Sequence, residues 1–403
     1  MQASEVTAVG VRREASGFRR SGFTWLAYLM LAFYGFMLNS LGPITPFLKR
    51  EMGLSYTVSS LHFTAFAAGI LLVGGFGHRL IRRAGRRRSL WIGAAGMSAG
   101  AMMLATGRTP AVTLPAALLM GLVGSLILVI VPSALSEEHG ERRGVALAEA
   151  NVLASGLSIA APLLVGWLAA TAAGWRLGLG LVALAPAALY LGLGRTRAPV
   201  QAAAAPVSDA RPLPKLFWCY WAALILSVAV EFCMLSWSGD FLAHGLGLGA
   251  NRSSQMTSLF LAGMMTGRWV GSRMVRHGGE HRLVLGSILT AIGGFLLFWL
   301  AGSAALVLAG LLITGLGVAC LYPMLQSLAL RATPGQAVQA SARTTLASGV
   351  AILASPLLLG SLADAMGIAR AYGVVTVLLM GVFALVQGAR RRTAPAWPGS
   401  SPG

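Results

Sequence analysis

The run SVAVEFCMLSWSGDFL, residues 227–242, sets two acids, Glu231 and Asp240, among apolar and small residues. If that stretch crosses a membrane, an ionised group at mid-depth costs from a few to more than about ten kcal/mol, so it persists where it meets water, a partner or a proton. Glu231 falls about midway and is a proton-coupling candidate, since its neutral form is the one that lipid tolerates. The alternative is a hydrogen-bonded Glu that fixes helix packing. Asp240 lies near the outer end of the run, within reach of water, and reads as a solvated or helix-capping acid. Two further charges sit inside apolar runs. Arg268 stands about two turns before the end of its run, and Glu149 about two turns into its own. Arg268 could instead snorkel to head groups or bind an anionic substrate. Arg343 opens a later run and could meet Glu137, Glu138 and Glu141, or these loop acids simply form a solvated charge run.

Polar residues available to line a cavity between helices are Tyr34, Asn39, His62, Asn151, Trp237, Tyr322 and Gln326. Aromatic and amide groups suit sugar-like or drug-like ligands through stacking and hydrogen bonds, although each alone is more often an interhelical contact. His62 lies near the outer end of its helix and ranks below Glu231 as a proton carrier. Other chemistries find no residues. There is no Gly-rich phosphate loop ending in Gly-Lys-Ser/Thr, and the three cysteines, Cys219, Cys233 and Cys320, have neither metal nor disulfide spacing. The sequence therefore predicts no enzyme, no metal, no cofactor and no ATP-driven pump.

The elements that must position these residues are membrane spans. Of 403 residues, 56% are hydrophobic and 11% charged, too apolar for one or two soluble domains. Apolar windows of about 20 residues, the length that crosses a bilayer as helix, recur at roughly 22–48, 57–80, 89–107, 112–134, 145–173, 177–194, 216–243, 253–275, 283–301, 303–330, 340–365 and 370–388. These runs are continuous, whereas barrel strands alternate over about ten residues, so the fold class is all-α with twelve transmembrane helices. The net charge of +19 points away from nucleic acid once its placement is read. With a cytoplasmic N-terminus, 23 of the Lys and Arg residues fall on the cytoplasmic side and six on the other. This asymmetry predicts both termini in the cytoplasm of a multi-pass inner-membrane protein, with anionic lipid head groups as counter-charge. Residues 1–21 lack a short apolar core with a cleavage site, so the first helix is expected to act as the targeting signal.

The spans form two copies. Residues 66–88 align without a gap on 260–282, a shift of 194 that superimposes Gly69 on Gly263, Gly77 on Gly271 and Arg88 on Arg282. The same shift carries PLLVGWLAATAAGWR at 162–176 onto PLLLGSLADAMGIAR at 356–370, whereas the fourth and tenth spans match through Pro132 and Pro323 with a different shift. The expected organisation is a tail at 1–21, a six-helix bundle at 22–194, a cytoplasmic linker at 195–215, a second bundle at 216–388 and a tail at 389–403. Two parallel halves suit a central cavity that opens to alternate sides as the halves rock.

This architecture resembles the major facilitator superfamily of secondary transporters over essentially the whole chain. The connection GFGHRLIRRAGRRRSL at 75–90 is similar to the family's loop between helices 2 and 3, through Gly85, Arg86, Arg87 and Leu90. Arg82 stands where the family has Asp. The resemblance implies two pseudo-symmetric six-helix bundles carrying a small organic solute by alternating access, with the proton gradient as energy source. It also implies that helices 5 and 8 face each other, so that Glu149 and Arg268 would pair as a cytoplasmic gate when the cavity opens outward. The order Glu231, Trp237 on helix 7 resembles that of fucose-permease-like members. Pro162 falls where family antiporters carry a Gly-Pro motif, but Pro356 repeats it, which marks a bend or close-packing device. A monomeric carrier with a small-molecule substrate, protons and membrane lipids as partners, and no nucleic acid, is the expectation. The competing readings are a proton-coupled efflux carrier and a non-transporting membrane receptor or sensor.

Overall fold

The computed structural model describes residues 19–196, 199, 212–278, 280–334 and 336–393. Two thirds of the expected linker, most of the N-terminal tail and most of the C-terminal tail lie outside the described residues. The described residues form helices and no strand: α1 (Gly22–Met52), α2 (Tyr56–Ala84), α3 (Arg86–Thr106), α4 (Pro110–His139), α5 (Arg143–Ala169), α6 (Gly174–Ala183), α7 (Ala185–Leu193), α8 (Lys215–Gly245), α9 (Ala250–Met256), α10 (Ser258–Gly278), α11 (Glu280–Leu300), α12 (Ala304–Val318), α13 (Leu321–Arg331), α14 (Ala337–Met366), α15 (Ile368–Ala371) and α16 (Gly373–Thr393). Local chemistry sets their ends. Ser21 caps α1 in a capping box with Thr24, and Gly53, at φ 62°, closes it in the left-handed conformation that glycine adopts freely.

Among the described residues, ten stretches are long and apolar enough to cross a membrane, against the twelve windows expected. Two particulars account for the difference. One stretch, Pro110–Ala169, is counted once although it holds both α4 and α5, joined by a single 3-10 turn at Gly140–Arg142. The expected eighth span is helical as α9 and α10 but is absent from the ten, its hydropathy lowered by Arg268 and Arg273.

Buried apolar side chains form two cores, one from residues between Phe23 and Ala183, the other from residues between Phe217 and Ala389. The repeat is visible inside them. A methyl group on Gly121 of α4 would run into the carbonyl oxygen of Phe66 on α2, and 194 residues later one on Gly315 of α12 would run into that of Phe260 on α10. Only glycine permits this backbone approach. Beyond Gly315 the register changes: Pro323 follows Pro132 by 191 rather than 194 residues. That change coincides with the interruption between α12 and α13 at Ala319 and Cys320, where α4 runs on unbroken.

Candidate functional site

Each half has a terminal face, carrying the start of α1 and the end of α16, and a far face, carrying the α1–α2 and α14–α15 connections. The halves are tied together from the far face inward. Lys49 of α1 reaches Asp240 of α8 at 3.3 Å, and the ring of Tyr56 of α2 lies under the Lys49 ammonium, 3.2 Å from the centroid. The Asp364 carboxylate of α14 accepts from the backbone N–H groups of Tyr56 and Thr57, both at 2.8 Å. It thus caps the first turn of α2 from across the seam, where the helix dipole favours negative charge. Ser60 donates to the Pro356 carbonyl, Thr64 to that of Leu353, and Ser254 to that of Pro43. Glycines let these helices close up in symmetric pairs, Gly166 against Asn251 and Gln255 and Gly360 against Tyr56 and Ser60. On the terminal face, Arg20 and Thr24 bond to Glu149 and His139, Arg86 to Glu137 and Pro199, and Trp221 to Arg343, contacts that stay within one half or its flanking segment.

Behind this seam lies a polar cavity of about 70 Å³, lined by both halves. The N-terminal half supplies Asn39 from α1 with Ser155 and Ser158 from α5; the C-terminal half supplies Glu231 from α8 with Met264 and Arg268 from α10. Asn39 donates to Ser158 Oγ at 3.1 Å and to the Gly35 carbonyl at 2.9 Å. Glu231 is half-buried, its carboxyl turned into the cavity. The 194 shift carries Asn39, Ser155, Ser158, Glu231 and Arg268 onto Cys233, Gly349, Ile352, Met37 and Gly74. At that mirrored place the Leu71 side chain packs against Gly349, and a Cβ there would make it shift. The repeat is therefore broken here: one copy of the position carries no charged residue, and the other is polar and lines a cavity.

The structure brings Asn39, Glu231 and Arg268 together and places the other expected site residues elsewhere. Tyr34 is buried in the first core against Phe66. Trp237 belongs to the seam, where its Nε1–H donates to the Pro356 carbonyl at 3.1 Å and its ring tilts over Tyr56. Asn151 is exposed one turn from Ser155 on the same helix. Tyr322 and Gln326 sit on α13, where Gln326 donates to Thr344 Oγ1 at 3.2 Å. His62 is buried between the Ser59 carbonyl and Thr113 Oγ1.

One expectation is corrected, and one expected pair is seen apart. Glu149 is engaged by Arg20, at 2.8 Å from Nε, and by the Tyr28 hydroxyl at 3.0 Å, while Arg268 lines the cavity. A gate between Glu149 and Arg268 belongs to the arrangement in which the cavity opens outward, and this conformation is closed at the far face. The bond to Glu149 also raises the pKa of Arg20 above its ordinary value. Asp240 is not solvated: its side chain is 6% exposed and held by Lys49, because α1 crosses α8 where Gly42 meets the Leu235 carbonyl.

The loop motif holds the terminal face of the first half. Gly85, at φ 80°, both ends α2 and starts α3. Arg86 pairs with Glu137 and also donates to the Pro199 carbonyl at 3.1 Å, Arg87 donates to the Gly194 carbonyl, and Leu90 is buried. Sequence reading missed Ser155, Ser158, Tyr56 and Asp364. A signal existed for the serines, since Asn151, Ser155 and Ser158 repeat at helical spacing on one face.

Two helical halves enclosing a polar cavity between them define a multi-pass membrane protein of the two-bundle carrier type. Comparison gives the family. The chain matches the Major Facilitator Superfamily over residues 27–356. It is 30% identical over 162 residues to an MFS-type transporter of Yersinia pestis, a stretch covering 40% of this chain and 42% of that protein. It is 24% identical over 303 residues to the cyanate transport protein CynX of Escherichia coli, covering 73% of this chain and 77% of that one. In fold it is similar to a bacterial homologue of the human lysosomal transporter Spinster, with a TM-score of 0.75 at 14% identity over 93% of this chain and 98% of that one. The nucleoside transporter NupG gives a TM-score of 0.74 at 12% identity over 92% of this chain and 100% of that one. The chain belongs to the Major Facilitator Superfamily, a family of membrane transporters rather than enzymes.

Proposed function

We propose that this protein is a proton-coupled secondary transporter of the inner membrane, with the terminal face and both termini cytoplasmic, carrying a small polar solute by alternating access. The observation that carries the proposal is the broken repeat. A pair of charges, Glu231 and Arg268, and the hydrogen-bonding groups Asn39, Ser155 and Ser158 line a cavity whose mirrored positions carry no charged residue. Charged residues inside a membrane bundle are expensive and mark substrate or proton paths. In this reading Arg268 takes an anionic or acceptor group of the solute, and the hydroxyls and amide orient it. Glu231 carries the proton. Closure of the far face by Lys49, Tyr56, Asp240 and Asp364 leaves loading and release to the cytoplasmic side in this conformation, and the opposite conformation requires that seam to part.

The test is solute movement in proteoliposomes with and without a pH gradient. Glu231→Gln should abolish gradient-driven accumulation while leaving counterflow exchange intact. Accumulation that survives the substitution would remove Glu231 as the proton site, and no movement of any solute by the unaltered protein would favour a receptor role.

A further inference from the structure

Because the two halves repeat, a place where they differ in charge is informative. On the terminal face of the first half, Arg86 is paired with Glu137, and Glu138 accepts from Ser21. The 194 shift carries Glu137 onto Arg331 and Arg88 onto Arg282, so the second half puts a cation where the first has its carboxylate. The terminal side of that half holds nine Lys and Arg residues and a single acid, Glu280.

At this place a cavity of about 530 Å³ opens between the starts of α8 and α11 and the ends of α13 and α16. Its walls carry Arg282, Arg331, Arg390 and His281 beside the apolar Leu216 and Leu285, and among the described residues no carboxylate lines it. The Nε2 of His281 is buried without a hydrogen-bond partner among the described residues, the kind of orphan that a ligand oxygen satisfies. Arg282 also borders a second cavity of about 360 Å³ between α10, α11 and α12, walled mainly by apolar groups such as Val270, Leu283 and Leu316. A basic recess continuous through one arginine with an apolar groove matches an amphiphile with an anionic head.

We propose that this recess binds the phosphate head group of an anionic membrane phospholipid, with an acyl chain following the apolar groove past Arg282. The chemistry recognised is a phosphate ester; the apolar walls on both sides of Arg282 commit it to lipid over a soluble phosphate. Basic pockets between transmembrane helices recognise head groups in this way. The inference does not depend on the transported solute or on proton coupling.

The full chain in detergent, titrated with dioctanoyl phosphatidylglycerol and followed by thermal unfolding, should show a saturable rise in Tm. Phosphatidylcholine of the same chain length and inorganic phosphate should give none. Arg282→Gln combined with Arg331→Gln should weaken the apparent Kd about twenty-five-fold, roughly fivefold for each charge near the head group. Arg282→Lys with Arg331→Lys keeps the charge, guards against a folding defect, and should retain most of the affinity. Arg82→Gln with Arg83→Gln, which removes two cations from the same face outside the recess, should leave Kd unchanged. Equal protection by phosphatidylcholine, equal loss in the Arg82 and Arg83 variant, or inorganic phosphate protecting as well as the lipid would overturn the assignment.

Discussion

Lys49 and Asp240 belong to different halves, so their contact measures what holds the far face shut. The side chains are 19% and 6% exposed and 3.3 Å apart. At an effective dielectric of about 20, unit charges at that spacing attract by about 5 kcal/mol, from which the desolvation of both ions must be subtracted. Asp240→Asn removes the charge but keeps an acceptor for Lys49, and Lys49 retains the Tyr56 ring beneath it. The net loss to the closed arrangement is then about 2 kcal/mol, which multiplies the ratio of far-face-open to far-face-closed molecules about thirtyfold. The assay is the labelling rate of a reporter, Ser254→Cys, whose native hydroxyl is buried against the Pro43 carbonyl. Cys219, Cys233 and Cys320 are replaced by Ala, and a membrane-impermeant maleimide is added on the far side. Asp240→Asn should raise the rate about thirtyfold, and the exchange Lys49→Asp with Asp240→Lys should bring it back down. A rate unchanged by Asp240→Asn, or not lowered by the exchange, would refute the pair as a latch.

Gly360→Leu places a side chain against Ser60 Oγ and within 2.9 Å of the Tyr56 carbonyl, so far-side labelling of the same reporter should rise; labelling equal to the parent would mean that the glycine is not needed for closure. Arg20→Ala should lower Tm by only about 1–2 °C, since exposed ion pairs contribute little. A double-mutant cycle should find Arg20 coupled to Glu149, and no coupling would refute that ion pair; coupling between Glu149 and Arg268 would mark the cytoplasmic gate of the outward-open arrangement.

The fold was legible because its signals are long: apolar windows, a charge asymmetry and a gapless repeat reaching from Phe66 to Arg88 and from Phe260 to Arg282. Glu231 and Arg268 were legible as charges out of place, and their absence from the repeat marked them as special. Their sharing one cavity was not, because sequence gives depth along a helix but not rotation about it. The same gap hid the contact of Glu149 with Arg20. Arg20 lies just before the first span and read as a tail cation, yet the Ser21 cap continues α1 to it and turns it onto α5. Lys49 and Asp240 misled in the opposite sense, since two charges near an outer end look solvated until a crossing as close as that of α1 and α8 covers them.

The bare contacts of Gly121 on Phe66 and of Gly315 on Phe260 have a mechanical consequence. Main chain rests on main chain there, with no rotamer to flex, so a push received by one helix is handed to its neighbour undiminished. Each bundle then acts as a stiff lever. A solute bridging Asn39 and Arg268 would work as a strut between two levers, and its length, more than its affinity, would decide how far they can swing.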